Sequence, residues 1–265
     1  MPTRSARPKP ARRSPLVGGG RAAGGRSGRS RYRRIVLKIS GEGFCQPGGF
    51  GLDGETINRI AAEIDTVARL GVQVAVVVGG GNFLRGASLA EDSDIHPASA
   101  HYMGMLATVI NALALQETLE AHGRVTRVQS AIPIAPVCEP FIRRRCISHL
   151  EKGRIVILGA GTGRPFVTTD SAAALAAVEL GADVLLKATK VDGVYSADPM
   201  KDRSAKRYGA LTYNQVINDR LKVMDVSAID MCQQHGVPIV VFSLMKPGNM
   251  RRAVLGEPVG TTIDE

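Results

Sequence analysis

No two of the four cysteines in this 265-residue chain are spaced as CxxC. Cys45, Cys138, Cys146 and Cys232 therefore read as reduced thiols of a cytosol-like compartment, not as a zinc or disulfide framework. No GxxxxGKS/T run is present, which excludes a P-loop, and the HRD and DFG of protein kinases, the GxSxG elbow and HExxH are missing too. SGEGF offers only two of the three glycines that a dinucleotide-binding GxGxxG needs at the first strand exit. The apolar stretches are short, the longest lying near VQVAVVV, so no segment is expected to be long enough to span a bilayer. A soluble, cytoplasmic protein without membrane association is expected.

Acidic residues are absent from residues 1–34, which hold eleven of the 34 Lys and Arg. The remainder carries 23 bases against 24 acids, so the formal charge of +10 belongs to the tail, not to the body. Rich in Arg, Gly, Ser and Pro and poor in large apolar groups, residues 1–33 cannot bury enough surface to offset the entropy of ordering, and disorder is expected. Such a tail fits a cytosolic extension, a transit peptide or a contact with nucleic acid or another polyanion.

From Arg34 onward one grammar recurs: an amphipathic stretch, a glycine, then a β-branched run. DTVARLG precedes VQVAVVV, LEAHG precedes RVTRVQ, AAVELG precedes ADVLLKAT, and CQQHG precedes VPIVVFS. Gly71, Gly123, Gly181 and Gly236 stand where left-handed helix caps belong. With IVLKIS and RIVILGA added, strands alternate with helices throughout. The expected fold is α/β, a three-layer αβα sandwich around a mainly parallel sheet, with residues 34–265 as one domain. A first helix after Asp53 would bury Ile57, Ile60, Ile64, Val67 and Ala68 and leave Asn58, Arg59 and Glu63 in water.

Ligands of such sheets collect at the carboxyl ends of the strands. After VQVAVVV comes GGGNFLRG, where Gly79, Gly80 and Gly81 let backbone amides approach phosphate oxygens and Arg85 adds a fork of donors. A tight turn needing positive φ, which Asn82 would also serve, explains the same glycines. Lys38, inside an apolar strand, reads as a phosphate clamp beside Ser40 and Gly41, or else as an edge-strand lysine reaching solvent. In LGAGTGRPFVTTDSAAALAAVELG, Thr168, Thr169 and Asp170 precede an alanine-rich helix whose N-terminus would attract an anion. Asp170 is either a cap or the acid that organises cations around a transferred phosphoryl group. LLKATKVDGVYSADP places Lys187, Thr189, Asp192, Tyr195 and Asp198 just beyond a strand, with Tyr195 as a platform for a base and Asp198 as an acceptor for ribose or amino groups, although its DG and ADP segments also suit turns.

Taken together, LKISGE, GFGLD, VVVGGGNFLRG, YMGMLATVIN, SAIP, GAGTGRPFVTTD, LLKATKVDGVYSADP, LKVMD and KPGNMRRAV resemble, in order and spacing, the bacterial-type UMP kinase (uridylate kinase) family of the amino-acid kinase superfamily. The resemblance runs from about Arg34 to the C-terminus. It implies transfer of the ATP γ-phosphoryl group to UMP in pyrimidine nucleotide biosynthesis, with Mg²⁺ accompanying ATP. Lys38, Ile39, Ser40, Gly41, Gly81, Arg85, Thr189, Tyr195 and Asp198 would then meet ATP. Gly80, His101, Thr162, Gly163, Arg164, Pro165, Phe166, Val167, Thr168 and Thr169 would meet UMP, and Lys38, Arg85 and Asp170 would carry catalysis. His101 departs from the family pattern, which usually has an aspartate there. Gln46, Pro47, Gly48, Gly49, Phe50 and Gly51 align with a segment linked to GTP activation, and a homohexamer with UTP feedback inhibition is a further implication. The alternative is a catalytically altered relative that senses nucleotides or binds polyanions, although Lys38, Gly81, Arg85, Asp170 and Asp198 are all in place.

Overall fold

The computed structural model describes residues 30–265 apart from Asp92, Met200 and Arg203, and Ala87 without its side chain. Most of the basic tail therefore lies outside the described residues. Where it joins the body, the Arg31 amide donates to Val254 O at 3.0 Å and the Arg34 amide to Asp183 Oδ2 at 2.9 Å.

Apolar β-branched runs bounded by glycine and polar residues become the strands. The first half of the chain holds β1 (Arg34–Ile39), a 3₁₀ turn (Gly41–Phe44), α1 (Gly54–Ala68), β2 (Gln73–Val78), α2 (Gly86–Glu91), α3 (Pro97–Ala121), β3 (Thr126–Ser130) and β4 (Glu139–Pro140). The second half holds α4 (Arg143–Glu151), β5 (Ile155–Gly159), α5 (Thr169–Leu180), β6 (Val184–Thr189), β7 (Ala210–Thr212), α6 (Tyr213–Asn218), α7 (Val226–His235), β8 (Ile239–Ser243), α8 (Asn249–Val254) and β9 (Gly260–Asp264). One nine-stranded sheet runs in the order β4-β3-β5-β2-β1-β6-β8-β9-β7. Its pairings are parallel except that between β8 and β9.

Alternation along each strand sorts side chains to two faces. Ile35, Leu37 and Ile39 of β1 join Ile57, Ile60 and Ile64 of α1 and Leu115 and Leu119 of α3 in one core. Val36 of β1, Val77 of β2 and Leu185 of β6 join the alanines of α5 and Ile229 and Cys232 of α7 in the other. This is the three-layer sandwich that the alternating pattern predicts. Gly71, Gly123, Gly181 and Gly236 all have positive φ, between 62° and 79°, as left-handed caps require. α1 starts where its pattern predicts, with Asp53 Oδ2 accepting from the Thr56 amide at 2.8 Å. Glu63 is drawn out of the purely solvated role, since its Oε1 accepts from the Gly248 amide at 2.6 Å.

Two features depart from the sequence reading. The short strands β4, β7 and β9 carry too few apolar residues to announce themselves, and tertiary pairing alone makes them strands. The expectation of no segment long enough for a bilayer also needs correction: α3, with 25 residues, is long and apolar enough by length and composition. It owes that to an uncharged run from Tyr102 to Gln116. Its Leu115 and Leu119 are fully buried in the core with α1, the packing of a core helix. Leu115→Ala should accordingly lower unfolding free energy by about 3 kcal/mol in urea titration, because the buried space can only partly collapse.

Candidate active site

The carboxyl ends of β1, β2, β5 and β6 lie side by side, and each carries a group suited to phosphate. Lys38 of β1 and Lys187 of β6 are partners in register, so both side chains leave the sheet on the α5 face, two residues beyond Val36 and Leu185 of the core. Between them stands Asp170 in the first turn of α5. Lys38 Nζ lies 2.7 Å from Asp170 Oδ1, and Lys187 Nζ lies 2.6 Å from Asp170 Oδ2. Lys187 also donates to Val223 O.

Burial pushes the Asp170 carboxyl up, but the adjacent Lys38 and Lys187 ammoniums outweigh it and hold the group below the ordinary carboxylate value of 3.8. Asp170 is thus an anion at neutral pH. The stability it contributes is present above 3.8 and lost only as pH falls through its lower folded value. Burial lowers the Lys187 ammonium from its ordinary value, and Asp170 partly restores it.

The two structural accounts offered for these residues fail. β1 is flanked by β2 and β6 in the middle of the sheet, so Lys38 is no edge-strand lysine. Thr168, not Asp170, caps α5: its Oγ1 accepts from the amides of Asp170 at 3.1 Å and Ser171 at 3.3 Å. The Asp170 carboxylate is left for the lysines. Asp225, in the LKVMD segment, braces this terminus by accepting from the Thr168 hydroxyl and, at 3.1 Å, from that of Ser171.

The glycine loop also differs from its turn reading. Gly79, Gly80 and Gly81 have no positive φ; close approach is what excludes a side chain at two of them. A Cβ on Gly79 would come within 2.7 Å of Gly41 N, and one on Gly80 within 2.6 Å of Gly104 O. A Cβ on Gly41 would run into Gly81 N, so the loops after β1 and β2 touch backbone to backbone. Asn82 and Asn111 exchange side-chain amide hydrogen bonds at 2.9 and 2.7 Å, while Asn111 also donates to Gly79 O and Asn82 to Gly51 O, each at 2.7 Å. Asn111, a buried amide in the uncharged stretch of α3, thus shapes the loop.

Arg85, exposed at the loop's end, pairs with Glu42, whose other oxygen lies 2.8 Å from Lys190. Ile39 is fully buried in the core, which leaves only its backbone for a nucleotide. Ser40 follows as the β1 exit. Thr189 is the last residue of β6, so Lys187 and Thr189 belong to the strand and not, as the sequence suggests, to the loop beyond it. Tyr195 and Asp198 line a cleft of about 410 Å³ together with Arg220 and Lys222, and the Tyr195 hydroxyl donates to Asp192 Oδ1 at 2.6 Å.

On the opposite flank, residues 162–169 connect β5 to α5. Gly163 is held in a positive φ of 73°, and Phe166, exposed, adopts 67° without being glycine. The Phe166 ring lies 4.8 Å from the His101 ring of α3, so the structure brings these two expected UMP contacts together. Arg164, Val167 and Thr168 are exposed, Pro165 and Thr169 half-buried. Thr162 Oγ1 is buried with no partner. In the Gln46 to Gly51 segment, Gln46 Nε2 donates to Asp53 Oδ2 at 2.9 Å, Gly48 and Gly51 have positive φ, and Pro47 and Gly49 are exposed. The Phe50 ring packs edge-on against Phe83 of the glycine loop at 5.7 Å, and the Gly51 amide donates to Asn82 O at 2.9 Å.

The residues missed as site members, Lys187, Asn111, Glu42 and Asp225, had sequence signals of uneven strength. Lys187 repeats the signal of Lys38, a lysine inside an apolar strand. The others acquire partners only through the fold.

A mainly parallel αβα sheet with paired lysines around a helix-terminal carboxylate and a phosphate-type glycine loop defines a phosphoryl-transfer class. The sequence matches the amino acid kinase family over residues 33–243, and the chain belongs to that family. It is 58% identical over 234 residues to a uridylate kinase of Paramagnetospirillum magneticum, covering 88% of this chain and 97% of that one. Among solved structures, a UMP kinase from Bacillus anthracis superposes with a TM-score of 0.85 at 40% identity, covering 88% of this chain and 96% of its own. One from Ureaplasma parvum gives 0.83 at 35% identity, covering 89% and 100%.

Removing the charge of Asp170 leaves two buried ammoniums without their counter-ion. Asp170→Asn is expected to reduce kcat by about 10²- to 10³-fold, the loss typical of one preorganised electrostatic group, with KM values changed far less; steady-state kinetics would check it. Gly80→Ala, which drives a Cβ into the Gly104 carbonyl, should lower both activity and melting temperature, whereas Gly81→Ala, with no atom nearer than 3.8 Å, should leave the melting temperature nearly unchanged in thermal denaturation.

Proposed function

We propose that the chain transfers the γ-phosphoryl group of ATP to the phosphate of UMP, giving UDP and ADP. The observation that carries the reading is the buried Lys38–Asp170–Lys187 cluster beside the glycine loop, and the uridylate kinase relatives supply the acceptor.

Charge accounts for the chemistry. Two polyanions must be brought end to end, and phosphoryl transfer asks chiefly for positioning and for cations where charge gathers. Lys38 and Lys187, fixed by Asp170, would face the transferred group, Arg85 would leave Glu42 for phosphate, and the amides of Gly80 and Gly81 would cradle the junction. UMP's phosphate is already a competent nucleophile at neutral pH, so no general base is required. Mg²⁺ would enter with ATP as part of the substrate.

Sheet order supports a side-by-side arrangement of the two substrates. Acceptor contacts follow β2 and β5, the lysines lie on β1 and β6, and Tyr195 and Asp198 follow β6 at the cleft suited to adenosine. Residues 34–265 would form the kinase domain, with residues 1–33 as a separate tail. Self-association into a hexamer is supported by the exposed apolar residues Tyr102, Met103, Leu106 and Ile110 on α3. GTP activation through residues 46–51 is supported by the ties of Phe50 and Gly51 to the glycine loop, with UTP as feedback inhibitor. A cytoplasmic role in pyrimidine nucleotide synthesis follows from the same reading.

A coupled ADP-release assay with UMP, CMP, dCMP, aspartate, N-acetylglutamate and carbamate tests the proposal. Turnover of UMP is expected; failure with UMP alongside turnover of another acceptor would refute it. His101→Asp should change KM for UMP while leaving that for ATP nearly as it was, and an unchanged UMP KM would remove His101 from the acceptor site.

A further inference from the structure

Glu42 lies in the 3₁₀ turn after β1, Arg85 in the loop after β2, and Lys190 directly after β6. Because β1 stands between β2 and β6 in the sheet, a carboxylate at its exit can reach a cation on either side. Glu42 does so: Oε1 pairs with the Arg85 guanidinium, and Oε2 lies 2.8 Å from Lys190 Nζ. Ser40, Glu42, Thr189 and Lys190 border one cleft of about 140 Å³. Glu42 and Lys190 thus stand beside Ser40 and Thr189, two residues that the family resemblance gives to ATP.

The arrangement repeats that of Asp170 between Lys38 and Lys187, with one physical difference. The Asp170 side chain keeps 15% of its surface accessible, whereas Glu42 keeps 32%, Lys190 46% and Arg85 64%. Ion pairs so exposed are screened by water and salt and are individually weak. A buried carboxylate stays with its lysines; an exposed one can be exchanged for a better anion. A phosphate chain is the better anion, since it carries more charge and more acceptor oxygens, and the arginine fork can donate to two of them at once.

We infer that Glu42 is a placeholder for the nucleotide's phosphates: it holds Arg85 and Lys190 until the triphosphate of ATP takes both cations from it. Lys190 is then a further phosphate-binding residue of the donor site. The inference rests on the reading above, in which ATP meets Ser40, Arg85 and Thr189, and goes beyond it by adding Lys190 and by setting Glu42 against the nucleotide. A placeholder keeps the two cations gathered at the strand ends, yet it must be displaced before they are of use. Its removal therefore strengthens nucleotide binding, whereas removal of an acid that merely positions Arg85 would weaken it.

The test is Glu42→Gln in the full-length protein, with Kd for MgATP measured by titration calorimetry without acceptor and KM for ATP and UMP by steady-state kinetics. Kd for ATP should fall about threefold, since the exposed pairs no longer have to be broken, and KM for UMP should move less. Glu42→Asp, one methylene shorter and unable to hold both cations, should shift Kd the same way by a smaller factor and covers the case in which the glutamine variant does not fold. Lys190→Met should raise Kd for ATP about tenfold by removing a charge-assisted contact. A Kd for ATP that is unchanged or raised in the Glu42 variants, or unchanged in Lys190→Met, overturns the inference. Wild-type protein that binds ATP and leaves UMP unphosphorylated refutes the acceptor reading alone, because the binding titration needs no acceptor, whereas protein that binds no ATP refutes both.

Discussion

The structure depends most on the pairing of Asp170 with Lys38 and Lys187. Two ammoniums placed within an apolar sheet would repel one another and would be unfavourable to bury singly. A carboxylate between them makes the arrangement stable enough to form and leaves a net positive charge at the strand ends. The supporting architecture serves this placement. Parallel pairing of β1 with β6 sets the lysines side by side, and the Thr168 cap fixes where the first turn of α5 begins. Asp225 ties that turn to α7.

The glycine loop is the second constraint and complements the first. Loops after β1 and β2 approach so closely that Gly41, Gly79 and Gly80 have no room for a Cβ. Asn82 and Asn111 then hold the loop from behind by paired amides. A rigid loop of this kind presents its amides without having to order them when a ligand arrives, which is the basis of preorganised electrostatic stabilisation. The segment at Phe50 and Gly51 is attached to the same loop, so a change there has a direct mechanical route to it.

Sheet order sets these local features side by side. β3, β5, β2, β1 and β6 are consecutive in space, although their order along the chain is different. On the reading proposed above, the acceptor contacts, the paired lysines and the Tyr195–Asp198 cleft would follow one another along the strand ends. Transfer between two phosphate chains needs such a linear arrangement, because the attacking and leaving oxygens must lie roughly in line.

Much of this was legible in the chain itself. Periodicity and the glycine caps at 71, 123, 181 and 236 determined the alternating elements, since those signals come from local backbone preference and from the burial of one face. Lys38, the glycine loop and Asp170 stood out because their residue types conflict with their local surroundings. Tertiary structure alone decided the rest. The cap of α5 had three candidate residues in a row, and only the geometry of the turn selected Thr168. β9 pairs antiparallel to β8 through contacts with distant residues that leave little trace in GTTID. Gln129 looks like any polar residue near a strand end until the fold places Glu139 beside its amide nitrogen. Local sequence can determine what a segment prefers, but a partner distant in the chain is supplied only when the sheet assembles.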